Sequence, residues 1–233
     1  MSEQEKKFKY LEKRPPKEVI EKYYIVSTCM VSDALDKLGL PAGIYGIGPM
    51  GDFGKICGPA ITMKVIPYGS KNPTGHMGAD PIFVAEPGDV LVYDNGGRLD
   101  QNCWGDIVTW SAIQKGIIGT IVDGAVRDMD EVRKIGYPVY ARGYTPLTAR
   151  GRNVQGDYNC QIQIGGVQVN PGDLIMADLN GVVVVPLEKV EEVLEIALDI
   201  YERETAMVEE IKAGISFLEV DKKSGYDKFL EKK

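Results

Sequence analysis

The feature that most constrains the fold of this chain is an alternation of buried strands and helices between residues 89 and 135. Apolar runs at Asp89 to Tyr93 and at Ile117 to Val122 have the length and composition of buried strands. Each run is followed by a loop and then by a helical pattern, over Trp104 to Lys115 and over Met129 to Ile135. Such alternation favours a parallel or mixed sheet, whose ligands gather beyond the carboxyl ends of the strands.

Elements on both sides of this segment complete the predicted α/β fold. Before it, we expect a short helix over residues 17 to 24, a helix from a cap at Thr28 to Leu38, and a strand at Ala60 to Ile66. After it, we expect short strands and then a long helix, at Gln161 to Ile164, Val167 to Val169, Leu174 to Ala177, Val182 to Val185 and Leu187 to Ala213. The length of 233 residues favours a single domain. The predicted organisation is an N-terminal arm (residues 1–19), one α/β domain (20–218) and a charged C-terminal tail (219–233).

The charge and hydropathy of the chain argue against two classes of partner. A formal net charge of -7 disfavours binding to nucleic acid phosphates and to anionic membrane surfaces. The N-terminus has no apolar signal segment, and no run of about 18 apolar residues occurs. We therefore expect a soluble protein of the cytoplasm that binds neither nucleic acid nor a membrane.

The cysteines and the single histidine do not favour a zinc site. The four cysteines are widely spaced, without a C-x-x-C pair, and only His76 is present to join them. A lone histidine in a glycine-rich loop is more often a surface residue than a ligand, so no role is assigned to His76. If the chain uses a metal, carboxylates must hold it, which favours a hard ion such as Mg2+ or Mn2+.

The candidate site lies at the start of one predicted helix and between the next strand and helix. Asp106 opens the first helix, and Arg127-Asp128 follows the strand, so that both can face one crevice of the sheet. Amide groups from Gly105 to Val108 can hold a carboxylate at the helix N-terminus. Arg127 can donate to a developing oxyanion, Asp128 can hold a metal, and Asp106 can accept a proton through a water. Together these groups suit the stabilisation of an enolate.

A second interpretation stays open from composition alone. Asp106 and Asp128 are acidic residues at helix starts, where they commonly cap helices, and Arg127 can be a solvated residue in a weak ion pair.

The spacing of these residues resembles a family signature. Asp106, twenty intervening residues, Arg127-Asp128 and then Glu131 is similar to the Asp-X20-Arg-Asp signature of the RraA-like family, which includes 4-hydroxy-4-methyl-2-oxoglutarate aldolases. Further segments resemble the family in order, covering roughly residues 20 to 218: Ser27-Thr28 through Asp33-Ala34-Leu35, Pro87-Gly88-Asp89-Val90, Trp104-Gly105-Asp106, Gly119 to Asp128, Pro171-Gly172-Asp173 and Asp178 through Gly181-Val182-Val183-Val184-Val185-Pro186.

The resemblance implies a swivelling β/β/α domain with a mixed sheet and a long C-terminal helix. It implies assembly as homotrimers or homohexamers with active sites between subunits. In the aldolase members, the residue matching Asp128 helps to hold Mg2+ or Mn2+, and that matching Arg127 binds substrate and stabilises the pyruvate enolate. Asp106 matches the residue that positions a catalytic water. The remaining implied groups are the amides of Gly105, Ile107 and Val108, for the substrate carboxylate, and a glutamate of the adjacent subunit, matched here to Glu204 with Glu202, Glu209 and Glu210 nearby.

The implied activity is a metal-dependent retro-aldol cleavage of a 4-hydroxy-2-oxo acid to pyruvate, with decarboxylation of oxaloacetate through the same enolate. The substrate would be a small 2-oxo acid whose identity the sequence leaves open. One alternative is a protein-binding regulator, because the family's namesake inhibits ribonuclease E by direct contact. A methyltransferase acting on menaquinone precursors is not supported, since no glycine-rich loop for adenosyl-methionine follows a first strand.

Overall fold

An eight-stranded mixed sheet forms the centre of the computed structural model, which describes residues 8–69 and 76–225. Among these residues the strands are β1 (Gly48–Pro49), β2 (Ile56–Pro67), β3 (Val90–Asn102), β4 (Gly119–Val126), β5 (Val139–Tyr144), β6 (Asn153–Tyr158), β7 (Ile162–Ile164), β8 (Val167–Val169), β9 (Leu174–Asp178) and β10 (Gly181–Val185). The helices are α1 (Lys17–Tyr23), α2 (Thr28–Lys37), α3 (Ala79–Val84), α4 (Asp106–Lys115), α5 (Met129–Ile135), α6 (Val190–Lys212) and α7 (Phe217–Ser224), with a short 3-10 turn at Leu187–Lys189 before α6.

The sheet has the order β1-β5-β4-β3-β2-β9-β10, and β6 pairs with the end of β2. Strands β2, β3, β4 and β5 are parallel, whereas β1, β6, β9 and β10 pair antiparallel. Strands β7 and β8 form a separate hairpin, closed by a turn at Gly165 and Gly166. The predicted α/β class, the mixed sheet and the long C-terminal helix are therefore confirmed.

Helices cover the sheet in two groups, each built on its own apolar cluster. Helices α3, α4 and α5 bury Ile82, Ala112 and Val132 against the strands. Helices α1, α2 and α6 bury a second cluster that includes Leu35 and Val193 over β9 and β10. A fully buried valine, leucine or isoleucine side chain contributes about 1.5–3 kcal/mol relative to an exposed one, so both groups are held firmly to the sheet.

Strand β3 is longer than the sequence predicts. We expected it to end at Tyr93, before Asp94-Asn95-Gly96-Gly97, but it continues to Asn102. Two register shifts absorb the extra residues, after which Arg98 pairs with Gly124 and Asn102 pairs with Ala125 of β4. The prediction was wrong because this distant pairing holds the glycine-rich segment in the sheet. The two register shifts place the residues that follow Asn102 next to the C-terminal end of β4.

The predicted cap of α2 was also wrong by one residue. Ser27, not Thr28, accepts the amide of Met30 at 3.2 Å and caps the helix. The Thr28 hydroxyl instead donates to Asp178 at the end of β9, at 2.6 Å. Burial opposes ionisation of Asp178, but the hydrogen bonds from Thr28 and Asn180 outweigh it and lower the pKa of that carboxyl.

Both ends of the described chain pack on the body of the protein. Residues Phe8 and Leu11 contact the apolar cluster under α3, α4 and α5, and Arg14 pairs with Asp89. Near the other end, Ser216 caps α7, and this helix runs across residue 218, the predicted boundary between the domain and the C-terminal tail. The division into arm, domain and tail stays a prediction. Over the described ranges, no helix has the length and apolar character needed to cross a membrane.

Candidate active site

A cavity of about 560 Å³ opens where β3 and β4 end and α4 begins. Six of the predicted site residues line it: Gly105, Asp106, Ile107, Val108, Arg127 and Asp128. The opposite wall is formed by α3, β6 and the loop before β6, through Asp80, Gln155 and Arg150 among others. The structure thus brings together residues that are more than twenty positions apart in sequence.

Backbone hydrogen bonds fix this meeting of segments. The amide of Cys103 donates to the Ala125 carbonyl at 3.2 Å, and the amide of Arg127 donates to the Trp104 carbonyl at 3.0 Å. The chain before α4 therefore continues the pairing of β3 with β4 beyond the regular strand. As a result Gly105 lies directly against Asp128.

Asp128 occupies a strained backbone conformation. Its φ of 57° lies in the left-handed region, which costs a non-glycine residue on the order of 1 kcal/mol. Its carboxylate makes no capping hydrogen bond to α5, although the residue stands at the N-cap position. The Asp128 side chain therefore does not cap α5, the helix that follows it. Its Oδ2 instead accepts a long hydrogen bond, of 3.5 Å, from the amide of Asp106 at the start of α4.

Arg127 lies beside this carboxylate. Its Nε is 3.2 Å from Asp128 Oδ2, and both side chains are about one-third exposed, at 34% each. The contact has the distance of an ion pair but not the angles of a hydrogen bond, so the buried Nε has no hydrogen-bond partner among the described residues. A guanidinium in this position keeps donors available for an anionic ligand in the cavity.

The first turn of α4 presents a positive helix end to the cavity. Gly105 is the N-cap and provides no side-chain oxygen, so Asp106 is the first helical residue rather than the cap. Asp106 Oδ1 accepts the amide of Ile107 at 2.7 Å. A substrate carboxylate that used the Ile107 amide would have to replace this bond. The helix dipole and the amides of this turn favour a bound anion.

Two buried side chains hold the turn in place, and sequence reasoning missed both. The Trp104 indole Nε1 donates to Thr109 Oγ1 at 2.9 Å, and that hydroxyl donates to the Gly105 carbonyl at 2.9 Å. Trp104 is 1% exposed and packs between Tyr93 and Tyr137, with ring centroids 5.5 and 6.2 Å away. A Trp five residues before a Thr at a helix start is the only local signal of this support.

Other candidate residues fall into two groups. His76 is exposed, as expected for a surface residue, and it also lines the cavity; its Nδ1 lies 2.8 Å from the Met77 carbonyl oxygen. Cys103 also lines it, but burial raises the pKa of that thiol far above its usual value, so it is not a nucleophile at neutral pH. Glu204 lies on α6 and is not part of the cavity wall; within this chain its charge acts on Cys29 and Asp33 of α2. Its predicted place in a neighbouring subunit's site stays a prediction.

The carboxylates of the site fit a hydrated hard cation. Within residues 8–69 and 76–225, no group of three or more His, Cys, Asp or Glu side chains is placed to hold a metal. Mg2+ and Mn2+ do not need such a group, because they keep several waters and often use one or two protein carboxylates. Asp128, whose carboxylate does not cap α5, matches that requirement together with the nearby Asp106.

The protein has a mixed α/β fold in which a helix N-terminus and a carboxylate meet at the carboxyl ends of parallel strands, which is where folds of this class commonly bind their ligands. The chain belongs to the RraA-like family, whose model, described as Aldolase/RraA, matches residues 28–184.

Individual relatives carry different names. A protein of Halalkalibacterium halodurans named "Putative 4-hydroxy-4-methyl-2-oxoglutarate aldolase" is 35% identical over 204 residues, which cover 86% of this chain and 93% of that protein. Protein DlpA of Legionella pneumophila is 39% identical over 164 residues, 70% of this chain, but the match spans only 27% of DlpA. Among solved structures, Streptomyces coelicolor RraAS2, described as an unusual member of the RNase ES inhibitor RraA family, superposes with a TM-score of 0.77 at 30% identity, covering 84% of this chain and 98% of RraAS2.

Substitution of Gly105 by alanine is expected to impair the site without unfolding the protein. A Cβ at this position would lie 2.6 Å from Asp128 Oδ2, so the carboxylate would have to move. The backbone itself tolerates alanine because its φ of -161° is extended. For the pyruvate release that the family resemblance implies, we expect kcat/KM to fall about 100-fold, as for other misplacements near 1 Å, with the melting temperature unchanged. Gly54→Ala is the matched control, since its Cβ would meet no atom within 4 Å. Equal activities of the two variants would contradict the proposed role of the Asp128 carboxylate.

Proposed function

We propose that this protein is a divalent-metal-dependent pyruvate aldolase that cleaves 4-hydroxy-2-oxo acids, such as 4-hydroxy-4-methyl-2-oxoglutarate, and also decarboxylates oxaloacetate. The observation that carries the proposal is the Asp128 carboxylate, which sits in a strained backbone, does not cap α5, and faces one cavity with Arg127 and the start of α4. Strain of this kind clusters at functional sites. Relatives named as aldolases support the same reaction class.

Asp128 would hold Mg2+ or Mn2+, which supplies positive charge next to the developing oxyanion when it is bound. The first-turn amides of α4 suit the carboxylate of a 2-oxo acid, aided by the helix dipole. Arg127 would donate to the C2 oxygen as negative charge grows on it. These interactions strengthen in the transition state, which is the condition for catalysis.

Asp106 would order a water that accepts the proton of the 4-hydroxyl group. The bond between C3 and C4 then breaks, its electron pair enters the enolate of pyruvate, and an aldehyde or ketone leaves. Protonation of C3 yields pyruvate. In oxaloacetate the same bond breaks with loss of CO2, so both reactions need the same stabilisation of the enolate by Arg127.

We further propose that the active form is a homotrimer or homohexamer in which Glu204 of one subunit reaches the cavity of the next. Apolar side chains next to the cavity support an interface there: on α4, Ile107 is 67% exposed and Trp110 is 59% exposed. Large exposed apolar groups at helical spacing commonly mark a protein interface.

Trp110→Asp is expected to dissociate the assembly. A carboxylate buried in an apolar interface without a partner costs several kcal/mol, so the mass measured by light scattering after size exclusion should fall to that of one subunit. Ser111→Asp, on the neighbouring exposed position of α4, is the control and should retain the assembly. A Trp110→Asp protein that keeps the wild-type mass would place the interface elsewhere.

The function is tested by measuring pyruvate release from oxaloacetate and from 4-hydroxy-4-methyl-2-oxoglutarate. Each assay is run with Mg2+ or Mn2+, with chelator, and with metal but no protein, because free metal alone decarboxylates oxaloacetate. Turnover that requires both protein and metal supports the aldolase. Rates no higher than the metal-only background for both substrates would reject it.

The alternative function is a protein-binding regulator of the RraA type. It is favoured by the similarity to RraAS2 over 84% of this chain. The assay that separates the two is cleavage of an RNA substrate by an RNase E-type ribonuclease with and without the protein. Inhibition together with absent pyruvate release would favour the regulator.

A further inference from the structure

The cavity wall opposite Arg127 and Asp128 is formed by a short helix and an edge strand. Helix α3 spans six residues, and β6 is an edge strand that pairs only with β2 among the described strands. Inside the cavity they meet through one hydrogen bond, from Gln155 Nε2 to Asp80 Oδ2 at 2.8 Å. Any shift of α3 relative to β6 would therefore change the shape of this wall.

On the outer side, the N-terminal segment contacts both elements. The ring of Phe8 packs on Phe83 of α3, with centroids 4.4 Å apart. Lys115, at the end of α4, also contacts Phe83: its Nζ lies 5.6 Å from the centroid of the Phe83 ring. Aromatic and cation–π contacts of this kind add stability beyond the burial of area. Phe8 thus attaches α3 to the N-terminal segment.

The next residue, Lys9, makes the attachment to β6. Its ammonium pairs with Asp157, and this bond raises the pKa of Lys9. Its amide donates to the Tyr158 hydroxyl at 3.1 Å, and its carbonyl accepts from Asn159 Nδ2 at 2.8 Å. Backbone and side chain of one residue therefore hold the end of β6 at three points.

We propose that Phe8 and Lys9 are positioning residues that set the cavity wall of α3 and β6, and with it the fit of the half of the substrate that leaves as aldehyde or ketone. The inference rests on the proposed aldolase function. The oxo-acid half is bound at the opposite end, by groups that Phe8 and Lys9 do not contact. Both residues lie outside the matched family region, which begins at residue 28, so they can adapt the wall without altering the shared site.

The first test compares two substrates in Phe8→Ala. For 4-hydroxy-4-methyl-2-oxoglutarate, KM should rise about tenfold, the equivalent of one lost aromatic contact, while kcat stays within about twofold. For oxaloacetate, whose leaving group is only CO2, both constants should be unchanged. Phe8→Tyr keeps the ring and should restore KM. Tyr10→Ala is the matched control, because Tyr10 is 58% exposed in the same segment.

The second test does not depend on turnover. Hydrogen exchange of the α3 and β6 amides should accelerate in Phe8→Ala, while exchange in β3, β4 and α4 remains as in the wild type. A fall in kcat with unchanged KM, or an acceleration spread over the whole protein, overturns the positioning role. If the wild-type protein has no aldolase activity, the proposed function fails, and unchanged exchange in α3 and β6 would separately overturn the attachment by Phe8.

Discussion

Asp128→Asn is expected to lower kcat/KM for pyruvate release by about a thousandfold, the size of effect seen when one group that stabilises a developing oxyanion is removed. Asparagine has nearly the same shape and tolerates the left-handed backbone at φ 57°, so the fold should be retained. Only the charge that would hold the metal is lost. The loss should appear with both oxaloacetate and 4-hydroxy-4-methyl-2-oxoglutarate, because both reactions share the enolate.

Asp130→Ala is the control for this variant, since Asp130 is an exposed acid two residues further on, in α5. It should keep wild-type activity. Melting temperatures of wild type and both variants establish that the fold is intact. An Asp128→Asn protein with more than about one-tenth of wild-type activity would mean that this carboxylate does not hold a metal required for the reaction.

Arg14→Met is expected to lower the free energy of unfolding at neutral pH by about 3 kcal/mol, the lower part of the range for breaking a buried ion pair. The side chain of Asp89 is 1% exposed, and Arg14 is the cation that pairs with it. The other oxygen of the Asp89 carboxylate accepts a hydrogen bond from the Glu86 amide at 2.7 Å, so this carboxylate cannot turn to solvent. Without Arg14 the charge is buried and unpaired. Lys13→Met, at the exposed neighbouring position, should change stability by less than about 0.5 kcal/mol.

The pH dependence of this deficit has a defined sign. Burial already raises the pKa of Asp89 in the wild type despite the hydrogen bond from Arg14, and removal of Arg14 raises that pKa further. A carboxyl whose folded pKa exceeds its unfolded pKa favours folding at acid pH and loses that contribution as the pH rises through the folded value. The deficit of Arg14→Met, measured by urea unfolding, should therefore grow from about pH 4 to pH 8. The double variant Arg14→Met, Asp89→Asn should recover much of it. A deficit that is equal at every pH would contradict this account.

The parts of the fold that could be predicted from sequence are those with strong local patterns. Helix α5 (Met129–Ile135) and strand β8 (Val167–Val169) lie where the apolar periodicity places them. Strand β6 (Asn153–Tyr158) was missed because its sequence, NVQGDY, is polar and glycine-containing, as suits an edge strand. Thr28 was assigned the wrong role because its partner, Asp178, is 150 residues away.

One wall of the candidate site could also be predicted from the sequence. Asp106, Arg127 and Asp128 stand at strand-to-helix junctions, where topology alone brings side chains together, and all three line one cavity. The opposite wall was not predictable. Asp80 and Gln155 belong to α3 and β6, neither of which has a clear pattern, and their 2.8 Å hydrogen bond joins positions 75 residues apart.

The left-handed backbone at Asp128 also offers a way to distinguish members of the family that have kept the chemistry from those that have not. Glycine occupies this conformation without a steric penalty, so a chain with no need for the carboxylate can drift from aspartate to glycine there without straining the backbone. Selection for turnover opposes that drift, whereas selection for binding a protein partner does not. Family members that are enzymes should therefore have aspartate at the position that matches Asp128, directly after the arginine that follows β4. Members that only bind a protein partner should have glycine or asparagine there.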